Sequence, residues 1–133
     1  MASYVATKLI DTMKSKEINI KQSKILIMGF TFKENCPDIR NTKVIDVITE
    51  LNNYSCEVDV YDPWINDDTI KEKKEFNILK VPKTEYYDAI VLAVAHEDFV
   101  KLTYEQIKNF GKKNSVIYDL KHMLKKNNSD IRL

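Results

Sequence analysis

The run Ala89, Ile90, Val91, Leu92, Ala93, Val94 and Ala95 constrains the fold more than any other part of the chain. It is far shorter than the roughly 18 residues a membrane-spanning helix takes. It also does not alternate, as a strand with one wet face would. A short continuous apolar run of this kind is expected of a central parallel strand covered on both sides. Such a strand needs parallel neighbours, and these need crossover connections that are right-handed almost without exception.

The rest of the chain supplies them. Val5, Leu9, Ile10 and Met13 recur on one face of an opening helix, with lysines on the other. A strand is expected over 24–29 and a helix with Val44, Val47, Ile48 and Leu51 on its inner face, capped by Asn41 or Thr42 and ending near Asn52 and Asn53. Cys56, Val58 and Val60 alternate with Glu57 and Asp59, the pattern of a half-exposed strand stopped by Asp62, Pro63 and Trp64. Phe76, Ile78, Leu79 and Val81 mark a third strand cut by Pro82. Residues 66–74 read as a short solvated helix or a loop. Tyr104, Ile107 and Phe110 mark a helix closed by Gly111 in the C-terminal cap position. Val116, Ile117 and Tyr118 give a last strand, and the polar tail from Lys125 is expected to fray. Alternating strands and helices imply an α/β, doubly wound parallel sheet of about five strands flanked by helices, in a single domain. At 133 residues the chain has the length for one such core.

Ligands of such sheets sit beyond the carboxyl ends of the strands, where the strand order reverses. For the order 3-2-1-4-5 that point lies between the first strand and the Ala89 strand. Lys33 and His96 would face it from either side. The connection after the first strand is long for a strand-to-helix turn, which usually takes about 2 to 6 residues. It carries Lys33, Glu34, Asp38 and Arg40. A lysine is a point charge suited to a phosphate or sugar hydroxyl, and an arginine fork can grip a pyrophosphate. Pairing of Lys33 with Glu34, and of Arg40 with Asp38, is the structural alternative.

Only two glycines occur, Gly29 and Gly111. The first turn holds Phe30 and Phe32 where a dinucleotide-binding turn needs glycines. Binding here should therefore use side chains. Asp62 ends the second strand, where an acid would hold a ribose in a true dinucleotide site; without the glycine turn it reads as a turn former before Pro63. A formal charge of +1 provides no global basic field for nucleic acid. With no apolar span and no apolar leader at the amino terminus, the chain reads as cytoplasmic, with neither a nucleic acid nor a membrane as partner. Cys56 reads as a buried small hydrophobe. Cys36 lies among the loop cations, but the sequence places no base beside it to make it a nucleophile. Trp64 and Tyr61 could stack on a base, with packing the simpler role.

The words Gly29-Phe30-Thr31-Phe32-Lys33 and Pro37-Asp38-Ile39-Arg40-Asn41-Thr42-Lys43, with Val60-Tyr61-Asp62-Pro63, Ala93-Val94-Ala95-His96-Glu97-Asp98-Phe99 and Tyr118-Asp119-Leu120-Lys121, occur in one order. Together they resemble the C-terminal domain of the UDP-glucose and GDP-mannose dehydrogenase family, the nucleotide-sugar 6-dehydrogenases. The wording is closest to the branch acting on UDP-N-acetylhexosamines. The resemblance implies a Rossmann-like domain over residues 23–133, and residues 1–22 as the end of an interdomain helix and its connection. It implies that Phe32 and Lys33 contact the nucleotide sugar, and that Arg40, oriented by Asp38, reaches the pyrophosphate of NAD. Lys121 would contact the nucleotide sugar of a neighbouring subunit. His96 would be a supporting residue, either a catalytic acid or a fastener of its loop. NAD itself would be held mainly by another domain, and the full enzyme would be a homodimer serving surface polysaccharide synthesis. This stretch alone would be catalytically inert. A stand-alone nucleotide-binding or interaction module of the same fold is the alternative.

Overall fold

In the computed structural model, residues 2–31, 33–37, 42–65 and 76–132 are described, apart from the side chain of Lys126. The order of elements is α1 (Ala2–Ser15), β1 (Lys24–Met28), α2 (Val44–Asn53), β2 (Glu57–Tyr61), β3 (Asn77–Leu79), β4 (Tyr87–Leu92), α3 (Glu97–Val100), α4 (Tyr104–Lys108), β5 (Gly111–Asp119) and β6 (Ile131–Arg132). The strands form one sheet in the order β3-β2-β1-β4-β5-β6. Every pairing is parallel.

The apolar run lies where its composition requires. All six residues of β4 are buried, and β4 pairs β1 on one side and β5 on the other. Ile25, Ile27, Val58, Val60, Ala89 and Val91 share one face with Val5, Leu9 and Met13 of α1 and Val47, Ile48 and Leu51 of α2. Leu26, Met28, Ile90, Leu92 and Ile117 share the other with Phe99 of α3 and Ile107 of α4. The α1 residues picked out by their spacing are each at most 2 % exposed. The N-cap of α2 is Lys43, which makes no side-chain cap bond. Thr42, one residue earlier, accepts from the Val44 amide at 3.2 Å in a local turn, and Asn41 lies outside the described residues. Thr103 and Gln106 close a capping box on α4.

Four further expectations are corrected. The tail does not fray: a 3-10 turn at Lys126–Asn128 leads into β6, which pairs β5. Asp130 anchors it, accepting from the Ile117 amide at 2.8 Å and from Lys16 Nζ at 2.7 Å. Gly111 caps no helix. It is the first residue of β5, opposite Tyr87, and a Cβ there would meet Ser115 Oγ at 2.6 Å. The second strand is not half exposed, because Asp59 is 7 % exposed. Its carboxylate accepts from Tyr87 Oη at 2.8 Å and Asn77 Nδ2 at 3.2 Å. The third strand keeps Ile78 and Leu79 but loses Phe76, which is buried just ahead of it, and Val81, which is 74 % exposed. Residues 66–74 lie outside the described residues.

Candidate functional site

Parallel strands bring the loops after β1, β2, β4 and β5 to one edge of the sheet, and buried acids organise them there. Asp62, one residue past β2, is 5 % exposed. Its Oδ2 accepts from the Phe30 and Thr31 amides at 2.7 and 3.1 Å and lies 2.9 Å from His96 Nε2. Its Oδ1 accepts from the Trp64 amide at 2.8 Å, the local turn expected before Pro63. So Asp62 is a turn former, and it also collects the amides of the first turn.

His96 is fully buried. Its Nδ1 accepts the Asn35 amide at 2.9 Å, which leaves Nε2 to carry the ring proton toward Asp62 and toward Thr31 Oγ1 at 3.0 Å. Thr31 Oγ1 donates onward to the carbonyl of Lys33 at 3.0 Å. The Asn35 side chain accepts from the Glu97 amide at 2.9 Å, which ties the loop to the start of α3. Asn35 holds a φ of 56°, in the left-handed region that asparagine enters more readily than most residues. Trp64 stacks over the imidazole at 5.8 Å between ring centres and donates through Nε1 to Asp98 at 2.9 Å. Tyr61 packs on Phe99 at 5.6 Å. Burial, then the carboxylates of Asp98 and Asp62, raises the pKa of its phenol.

The loop after β5 follows the same plan. Asp119 is fully buried and accepts from the Lys121, Met123 and Leu124 amides at 3.2, 3.1 and 2.8 Å. Lys121 itself is exposed, as is Lys33. Neither ammonium has an ion pair among the described residues. On the α1 and α2 side of this edge lies a cleft of about 690 Å³, with Ile27 of β1 and Val91 of β4 in its floor and Lys43, Val44 and Lys121 on its rim. It sits at the expected reversal of strand order. Lys33 and His96, however, do not line it.

Of the residues singled out from sequence, Lys33, Lys121 and His96 all fall on the carboxyl edge. Phe32, Asp38 and Arg40 lie outside the described residues. Asp119, Thr31 and Asn35 were given no role from sequence. For Asp119 the one available sign is an acid at the end of a strand; Thr31 and Asn35 offer none. No group of three or more histidine, cysteine, aspartate or glutamate residues suited to a metal occurs among the described residues. No described helix is long and apolar enough to cross a membrane.

The fold and this edge define a Rossmann-like α/β domain whose first turn is closed by its own carboxylate. Residues 26–126 match the model of the UDP-glucose/GDP-mannose dehydrogenase family, UDP binding domain. The chain belongs to that family. It is 49 % identical over its whole length to a UDP-N-acetyl-D-glucosamine 6-dehydrogenase of Salmonella typhi, and 42 % identical to one of Pseudomonas aeruginosa. It spans 31 % and 32 % of those proteins. The fold is shared with the NDP-N-acetyl-D-galactosaminuronic acid dehydrogenase of Methanosarcina mazei Go1, at a TM-score of 0.78 and 20 % identity, over 95 % of this chain and 26 % of that one.

Proposed function

We propose that this chain is the nucleotide-sugar-binding part of an NAD-dependent UDP-sugar 6-dehydrogenase, acting on a UDP-N-acetylhexosamine. In the whole protein the C6 alcohol of the sugar is oxidised to a carboxylate. The observation that carries the reading is the family match across the carboxyl-edge loops, residues 26–126. It also weighs against a stand-alone module. Lys33 and Lys121 are exposed and without an ion pair among the described residues. Lys33 is the cation offered to the diphosphate, and Lys121 would contact the nucleotide sugar of a neighbouring subunit. Phe32 would join Lys33 at the nucleotide sugar, and Arg40, oriented by Asp38, would reach the cofactor.

The first turn does not fit a dinucleotide. The amides of Phe30 and Thr31, which would face a pyrophosphate, are taken by Asp62. A side chain at Gly29 would meet Val94, so the turn is packed shut. NAD therefore belongs to another part of the whole protein, and this domain contributes binding and orientation. Residues 1–22 would end the helix that joins the two. A cytoplasmic homodimer that serves surface polysaccharide synthesis completes the reading.

Calorimetric titration of this chain with UDP tests it. Loss of a charge-assisted bond is worth about 1.5–3 kcal/mol, so Lys33→Ala should weaken binding by roughly 10- to 100-fold. Lys113→Ala, at the opposite edge, should leave it unchanged. Equal affinity of Lys33→Ala and the unaltered chain would refute the assignment of Lys33.

A further inference from the structure

Three polar groups, from the loops after β1 and β2, meet on one buried imidazole from the loop after β4. The chain of bonds ends on the carbonyl of Lys33, whose ammonium has no ion pair among the described residues. The Asp62 carboxylate sits where the first-turn amides converge. His96 bridges that carboxylate to the Asn35 amide. Thr31 Oγ1, in contact with the same imidazole nitrogen, holds the carbonyl of Lys33. Asp62 and His96 side chains are both wholly buried, so the bond between them is kept from water.

We infer that Asp62, His96 and Thr31 are positioning residues for Lys33: the carboxylate of Asp62 acts as an internal anion for the first-turn amides, and His96 and Thr31 transmit that anchorage to the loop. The binding consequence rests on the proposed role of Lys33, while the anchorage itself does not. Two features argue for a built device. A surface loop usually meets its polar needs with water, yet here the amides of Phe30, Thr31 and Asn35 all end on buried side chains. Those side chains also come from the loops after β2 and β4, so the Lys33 loop is indexed to the two strands on either side of its own. A flexible lysine would pay ordering entropy on meeting a phosphate. One whose backbone is already fixed pays less.

The test combines amide hydrogen exchange with UDP titration, in the unaltered chain and in Thr31→Val, Thr31→Ser and His96→Ala. Valine keeps the shape of threonine and loses the hydroxyl, whereas serine keeps the hydroxyl. The expected result is exchange at Asn35, whose amide ends on His96, at least about tenfold faster in Thr31→Val and His96→Ala. Exchange at Val91 in the central strand should stay unchanged, which reports an intact fold. Thr31→Ser should restore protection. UDP affinity should fall in the two loosened variants and gain little further loss when Lys33→Ala is added, since coupled residues are not additive. If Thr31→Val and His96→Ala keep the loop protected, the anchorage is refuted. If they loosen the loop but bind UDP as tightly as the unaltered chain, positioning of Lys33 is refuted. Loosening of the loop in a chain that never binds UDP would uphold the anchorage, and would refute the proposed nucleotide site together with the positioning of Lys33 for it.

Discussion

Gly29 is the residue on which the loop pivots, and its reason is steric. Its φ is +104°, and a Cβ would stand 2.6 Å from Val94 Cβ and 2.7 Å from the Val94 backbone nitrogen. A left-handed backbone costs a side chain about 1–2 kcal/mol, and overpacking adds about 1–3 kcal/mol. Gly29→Ala should therefore lower stability by about 3 kcal/mol, read as an earlier urea midpoint at an unchanged slope. A loss below about 1 kcal/mol would mean that the turn is free to move. At this scale the sequence was only partly informative. Lysines after strands are visible as charges. Asp62, by contrast, reads as a turn former because its other partners, Phe30, Thr31 and His96, are 31 to 34 residues away. Local chemistry predicts the bond to Trp64 and is silent about the rest.

Elements were read more reliably than their ends. The uninterrupted apolar run identified β4, and the 3.6-residue spacing identified α1 and α2. Gly111 misled because a glycine after a helix is the usual cap, and its actual role, close approach to Ser115, depends on a register shift between β4 and β5 that no local pattern records. Left-handed caps do occur elsewhere, at Glu17 after α1 and at Ser55 after α2. Ser55, with φ 64°, follows α2. Its amide bonds Asn52 O at 2.9 Å, and the Cys56 amide bonds Leu51 O at 3.3 Å, the paired bonds of a Schellman ending. Serine is strained there. Ser55→Gly relieves about 1 kcal/mol of that strain and returns part of it as chain entropy. A gain of about 0.5 kcal/mol is expected in the denaturant midpoint. A loss would show that the serine side chain contributes more than its backbone costs.

At the scale of the whole molecule, the two-sided burial of the sheet sets a pH limit. Burial raises the pKa of Cys56, Tyr61, Tyr87 and Tyr118. For Tyr87 the bond to Asp59 adds to the effect. Each group holds its proton more tightly when folded than when unfolded. The unfolded chain therefore releases these protons first as pH rises, and the folded state loses stability. Their contribution is intact at neutral pH and is lost as pH climbs through the thiol and phenol range, from about 8.5 to 10 upward. Urea midpoints between pH 7 and pH 11 should fall only in the upper part of that interval, and Tyr87→Phe should blunt the alkaline fall. A decline that began near neutrality would assign it to other groups.

The doubly wound architecture and the edge that carries the ligand loops were legible because both follow from strand order. The internal clasp was not, because it joins three loops through side chains that sequence keeps apart. The account turns on where an anionic nucleotide meets this sheet. The most direct measurement is amide chemical-shift mapping of the isotope-labelled chain during addition of UDP, which detects weak as well as tight binding. The predicted result is a saturable set of shifts on the carboxyl edge, at Thr31, Lys33, Asn35, Val44, Lys121 and Met123, that is strongly weakened in Lys33→Ala. Shifts centred instead on Lys112, Lys113 and Asn114 at the amino end of β5, or no saturable shifts at all, would contradict it.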